Sequence, residues 1–205
     1  MNDSLAIIVG PNRIDKQIAD VIQSHDRTIM FEPLPDACEF MRSQINQGGE
    51  RVRIVQAACG QFDGTSVLNQ YNTHGVSSSL GTCTKQSTEL YERFDLNCTG
   101  QLEVPVVNLA AFCARAGIYH IDTLMTDAQG MDLTIMKTMS KWLRESLISK
   151  IQCEADGDGY CMYDGLPNNS ESGFDMLFSE FPQYIKSRLP NRVPWNPDLT
   201  WALAK

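Results

Sequence analysis

Three carboxylates stand where an apolar run ends: Glu32 after "TIMF", Asp127 after "IDTLMT" and Glu154 after "ISKIQC". Unpaired burial of an ionised carboxyl is costly, so each needs a partner, a ligand or water. An acid just beyond the second strand of a parallel sheet is placed to accept both hydroxyls of a ribose, which suits dinucleotides and sulfonium nucleosides. It is equally placed to cap the helix that follows, since carboxylates are favoured at helix N-termini. A second acidic stretch, "CEADGDG" (153–159), and a histidine in the polar loop "YNTHGVSSSLG" (71–81) add groups able to move protons.

The elements that would carry these residues alternate. "LAIIVG" (5–10), 28–32 and "VRIVQAAC" (52–59) read as strands, and 13–24 and 36–46 as amphipathic helices. In the second helix Phe40, Met41 and Ile45 are expected on one buried face. Farther along, 63–71 and 103–108 read as strands and 84–94 as a short helix. Residues 109–117 read as a helix capped by Asn108 and stopped by Gly117. The beat then resumes with strand 121–127, helix 130–144 and strand 148–154. A helix at 173–181 and a closing antiparallel pair at 184–189 and 199–204 complete the chain. The expected fold is α/β: one doubly wound, mostly parallel sheet with a C-terminal antiparallel hairpin, in a single domain over 1–205.

Composition narrows the partners. A net charge of −8 over 205 residues offers no basic field for nucleic acid or an anionic membrane. Seven cysteines, an odd number without a C-x-x-C pair, indicate reduced thiols and a cytoplasmic protein. No apolar run reaches the length of a membrane span.

"FEPLP" before a helix, "VQAACGQFDGT", "VSSSLG" and "IDTLMTDAQGMDLTIMKTM" follow the order and spacing of the FkbM-like methyltransferases, which the chain resembles over roughly 5–155. The resemblance implies a Rossmann-like class I fold, S-adenosylmethionine as cofactor, and O-methylation of sugars or related hydroxyls. It implies that Glu32, with Pro33 beside it, holds the cofactor ribose and that Gln56 and Ala57 lie near the adenine. Gly10, Pro11 and Asn12 would border the methionine portion, and Asp127 the transferring methyl group. The loop "IVGPNRI" departs from the family pattern acid-x-Gly-Ala-Asn-x-Gly: Ile8 stands for the acid, Pro11 for alanine and Ile14 for the second glycine. Class I enzymes carry helices before the first strand. With that strand starting five residues in, a minimal enzyme or a domain of a longer glycan-building polypeptide is expected.

A sugar hydroxyl is a poor nucleophile and needs a base or a metal. Asp127 and His74 are the candidate catalytic residues. Asp127, Glu154 and Asp156 form a candidate oxygen site for Mg²⁺ or another divalent metal, the alternative being a solvated acidic turn. Ser78, Ser79 and Tyr160 are candidate substrate-binding residues. Tyr163 could join Tyr160 as a stacking surface, whereas Trp201 reads as core. Two other functions share these features: methyl transfer to a non-sugar hydroxyl, and a nucleotide-binding or interaction module without catalysis. A nicotinamide dehydrogenase is disfavoured because no full G-x-G-x-x-G opens the chain.

Overall fold

The computed structural model describes residues 3–45, 51–71, 77–91, 96–167, 169–188 and 197–204. Its centre is a seven-stranded sheet in the spatial order β11-β12-β9-β8-β1-β2-β3. The strands are β1 (Leu5–Val9), β2 (Arg27–Phe31), β3 (Val52–Val55), β8 (Ile121–Thr126), β9 (Ile148–Glu154), β11 (Tyr184–Arg188) and β12 (Asp198–Leu203). Strands β3, β2, β1, β8 and β9 are parallel, and β12 runs antiparallel between β9 and β11. The doubly wound sheet and the late hairpin are therefore both present. All five residues of β1 are buried, as expected of a strand covered on both faces.

Local chemistry sets the helix boundaries. Helix α1 (Lys16–Ser24) starts where the Asp15 side chain accepts from the Ile18 amide, and α2 (Pro35–Gln44) opens on a proline at its first position. Asn108 caps α4 (Leu109–Arg115) through the Ala111 amide, and Gly117, at φ +64°, ends the turn after it. Helix α7 (Glu171–Phe178) is capped by Ser170.

The sequence pattern misreads three places. The strand expected over 52–59 breaks at Gln56–Ala57. Beyond the break, β4 (Ala58–Gly60) joins a second sheet of order β4-β7-β5, with β5 (Gly64–Tyr71) and β7 (Cys98–Asn108). A strand-like run interrupted by one glutamine does not reveal that its two halves belong to different sheets. The helix expected over 130–144 divides at Met139 into α5 (Asp132–Thr138) and α6 (Ser140–Arg144). Phe40 is 53% exposed, because Cys38 and Met41 form the buried stripe of α2 and Phe40 lies off it. A pair of two-residue strands, β6 (Thr82–Cys83) and β10 (Tyr163–Asp164), and helix α3 (Lys85–Leu90) complete the fold.

The larger core packs α4 to α7 on one face of the main sheet. Trp201 anchors its far end, stacked on Phe178 at 4.1 Å between ring centroids and against Phe174 at 5.5 Å. Removing a fully buried aromatic side chain costs about 3–5 kcal/mol. Trp201→Ala should therefore lower the urea midpoint by that equivalent, read by equilibrium unfolding.

Candidate active site

The strand order reverses between β1 and β8, the place where open α/β sheets bind ligands beyond their carboxyl ends. Gly10, Glu32 and Asp127 each follow directly on a strand at this point. The backbone pulls the three exits together: the Gly10 amide donates to the Phe31 carbonyl at 2.9 Å, and the Asp127 amide to the Val9 carbonyl at 3.0 Å. Gly10 has φ +73°, and a Cβ there would stand 2.0 Å from the Asp127 carbonyl oxygen. Only glycine permits this approach.

A cleft with about 490 Å³ of empty volume opens at this junction. Leu34, Ala58, Cys59, Leu68 and Leu80 give it an apolar wall, while Asn12, Glu32, Ser78, Ser79, Asp127 and Gln129 give it polar groups. Glu32 is 3% exposed. One of its oxygens accepts from the Asn12 amide and the other from the Leu34 amide, both at 2.9 Å. Leu34 is the N-cap residue of α2, so Glu32 holds the amide at the entrance of the helix without making a side-chain cap to its first turn. A carboxylate offers about four acceptor positions, which leaves two for other donors. Burial pushes the Glu32 carboxyl above its ordinary value, and the negative charge of Asp127 adds to this, while the two amides pull it back. Ser78 Oγ is buried in the cleft wall without a hydrogen-bond partner among the described residues.

Gln129, which the sequence reading did not single out, joins the acids. Its Nε2 donates to Asp127 Oδ1 at 2.5 Å and to Glu154 Oε2 at 3.2 Å. The Tyr163 hydroxyl donates to its Oε1, and Ser79 Oγ donates to its carbonyl at 2.7 Å. Burial holds the Tyr163 phenol well above its usual pKa, so it remains a donor. Gln129 lies at φ +48° and Gly130 at φ +96°, a tight turn that aims the Gln129 side chain back at the carboxylates. The only hint in the sequence was the glycine of "DAQG" after a strand, which signals a turn but not what its glutamine does.

The predicted residues divide. Gly10, Asn12, Glu32, Pro33, Ser78, Ser79 and Asp127 all line the cleft. Pro11 borders a separate depression, shared with Asp15, Gln17 and Gln152. Gln56 is exposed and Ala57 buried at the break between the two sheets, outside the cleft lining. Ala58 and Cys59, just beyond the break, line the cleft instead. Tyr160 and Asp156 border a second cavity of about 880 Å³, together with Tyr163 and Gly130. His74 lies outside the described residues, as does the 72–76 part of its loop. Among the described residues no three His, Cys, Asp or Glu groups gather to hold a metal. Asp127 and Glu154 share the Gln129 amide, whereas Asp156 accepts from the Met162 amide at 3.1 Å in the second cavity. The expected Asp127–Glu154–Asp156 ligand set is not assembled, and this donor arrangement does not fit a divalent cation.

Beneath the turn lies Asp132, the first residue of α5, with no exposed surface. Both its oxygens face the Ala128 amide, at 3.1 and 3.2 Å. Burial, with the charge of Asp127 adding to it, lifts its carboxyl from 3.8 to about 7. The unfolded chain loses this proton near its ordinary pKa and the folded chain keeps it until about 7. The resulting stability is fully present below the unfolded value and is lost as pH rises through the folded one. At about 1.36 kcal/mol per unit this amounts to roughly 4 kcal/mol. Urea unfolding as a function of pH should show this fall in the native chain and a flatter profile in Asp132→Asn.

Several solved structures are similar in fold. The magnesium protoporphyrin IX methyltransferase of Synechocystis PCC 6803 with bound S-adenosylmethionine aligns over 98% of this chain and 70% of its own, with TM-score 0.47 and 6% identity. TrmK of M. capricolum with S-adenosylhomocysteine aligns over 98% of this chain and 63% of its own, with TM-score 0.48 and 8% identity. The N-methyltransferase NodS of Bradyrhizobium japonicum WM9 aligns over 99% and 87%, with TM-score 0.46 and 8% identity. No curated protein sequence matches the chain. The sequence model of the FkbM methyltransferase domain matches residues 13–188, most of the chain's length, and the protein accordingly belongs to that family of S-adenosylmethionine-dependent methyltransferases.

Proposed function

We propose that the protein moves a methyl group from S-adenosylmethionine to a hydroxyl of a sugar or glycan. The observation that carries this reading is Glu32, buried at the switch point with both oxygens oriented by backbone amides and two acceptor positions to spare. A ribose diol is the complementary donor pair. The apolar wall of Leu34, Ala58, Cys59 and Leu68 suits a purine face, and the unpartnered Ser78 hydroxyl is available to a polar edge. The bound sulfonium supplies an electrophilic methyl carbon.

The remaining work falls to this chain's own residues. Asp127 accepts the proton of the attacking hydroxyl, and Gln129 holds it in place while offsetting the repulsion from Glu154. The cavity bordered by Tyr160, Tyr163 and Asp156 adjoins this turn at Gly130 and offers phenol and carboxylate groups suited to a polyol. The net charge of −8 disfavours nucleic acid as acceptor. All seven cysteines are free, which accords with a reducing compartment.

One observation favours a second reading, a module that binds without turnover. Ile8, at the position of the family's first acid, is 1% exposed and packs with Ile18, Met30 and Met41, so it offers nothing to a methionine amino group.

Calorimetric titration with S-adenosylmethionine, alongside methyl transfer from labelled cofactor to a panel of sugars and oligosaccharides, separates the two. Binding with transfer supports the enzyme, and binding without transfer to any acceptor supports the module. Glu32→Ala removes charge-assisted hydrogen bonds and should raise the cofactor Kd about 10- to 100-fold. Asp127→Asn should lower kcat by about 10²- to 10⁴-fold with Kd little changed. Normal turnover in Asp127→Asn would remove it from the chemistry.

A further inference from the structure

The side chains on the 127–130 turn face the cleft, but the turn is held from behind. Asp127 and Gln129 point toward Glu154 and Tyr163, while the Ala128 amide between them points inward to Asp132. We propose that Asp132 is a positioning residue of the site: its fully buried carboxylate, fixed at the start of α5, grips the Ala128 amide and thereby sets where Asp127 and Gln129 stand. The proposal rests on the methyl-transfer reading for what the turn does, but not for how the turn is held.

The geometry gives this carboxylate an unusual task. Most helix-starting acids sit at the surface and stabilise their own helix, whereas Asp132 has no solvent contact and bonds outward to the preceding turn. Gln129 lies in the left-handed region, where a non-glycine residue is held only by its surroundings. Two side chains hold its backbone: Ser79 on the Gln129 carbonyl, and Asp132 on the amide one residue earlier. Losing the second frees the turn to relax, and a small misplacement of a reacting group is expensive in rate.

The Thr126 side chain at the end of β8 favours the ionised form of Asp132. Asp127 approaches from the turn and raises its pKa. Cys153 approaches from β9, its thiol pushed well above its ordinary pKa by burial first and by the charge of Asp132 next, with the charge of Asp198 of β12 adding to this. No cation is among them in the described residues, which accords with a carboxyl that changes charge near neutrality. The ionised form is the better acceptor for the Ala128 amide, so the turn tightens as pH rises.

The test uses the full chain and nuclear magnetic resonance, so it does not depend on knowing the acceptor. The Ala128 backbone amide and the Gln129 side-chain amide are followed across about two pH units either side of neutrality. In the native protein both sets of signals should move together with one shared midpoint, and in Asp132→Asn both should stay flat. Native signals that do not titrate, or that titrate unchanged in Asp132→Asn, would overturn the proposal. If the variant fails to fold, the side-chain carboxyl carbon of Asp132 in the native protein decides: it must titrate with the same midpoint as the two amides, and a different midpoint overturns the proposal. With an acceptor in hand, Asp132→Asn should lose about 10- to 100-fold in kcat with the cofactor Kd within about threefold of native, since the Glu32 grip is untouched. Equal losses in both would instead mark Asp132 as merely structural. An absence of methyl transfer by the native chain would count against the proposed function, and the resonance titration would still judge Asp132.

Discussion

The site depends on a carboxylate that is almost out of water. Glu32 sits at the exit of β2 and holds two backbone amides, one from the loop after β1 and one at the entrance of α2. Without them its burial would carry a large desolvation cost; with them it ties two chain segments to the rim of the sheet. The Gly10 and Asp127 backbone contacts continue the same stitching toward β8. Three strand exits distant in sequence are thus brought to one place by hydrogen bonds between neighbours in the sheet. The cleft is what remains between them.

A second constraint acts on the far side of that cleft. Asp127 and Glu154 are brought near each other by adjacent parallel strands, and two like charges in such a setting repel. The Gln129 amide answers this by donating to both, and the Tyr163 phenol donates to the same side chain from the β10 side. A neutral amide is a suitable bridge because it offers two donors and an acceptor without adding charge. The cost is a strained backbone at Gln129, which the Ser79 and Asp132 contacts hold in place.

How much of this was legible beforehand follows from what periodicity can carry. The central strands were readable because a strand buried on both faces is a continuous apolar run, and "LAIIV" has no other economical reading. The acids at the strand ends were readable for the same reason, since a charge after such a run marks its end. The second sheet was not, because a lone Gln56 between the apolar residues of 52–59 does not mark a change of sheet, and which sheet a residue joins depends on partners remote in sequence. That is why Ala58 and Cys59, rather than Gln56 and Ala57, line the cleft. The metal grouping failed differently: Asp127, Glu154 and Asp156 share an edge of the sheet, but the chain turns after Glu154 and carries Asp156 into another cavity. Gln129 and Asp132 escaped notice because an amide in a turn and an acid opening a helix are ordinary in sequence, and only their burial makes them unusual.

The two sheets divide the cleft between them. The main sheet furnishes Gly10, Glu32 and Asp127, whereas Ala58, Cys59 and Leu68 come from the small sheet β4-β7-β5. Among the described residues the small sheet makes no strand pairing with the main one, so beyond the short Gln56–Ala57 link side-chain packing sets the spacing of the opposing walls. The width of the cleft can therefore drift by exchanging side chains on a separate scaffold while the polar half keeps its geometry. Such an architecture lets one chemical apparatus be fitted to differently shaped molecules without being rebuilt.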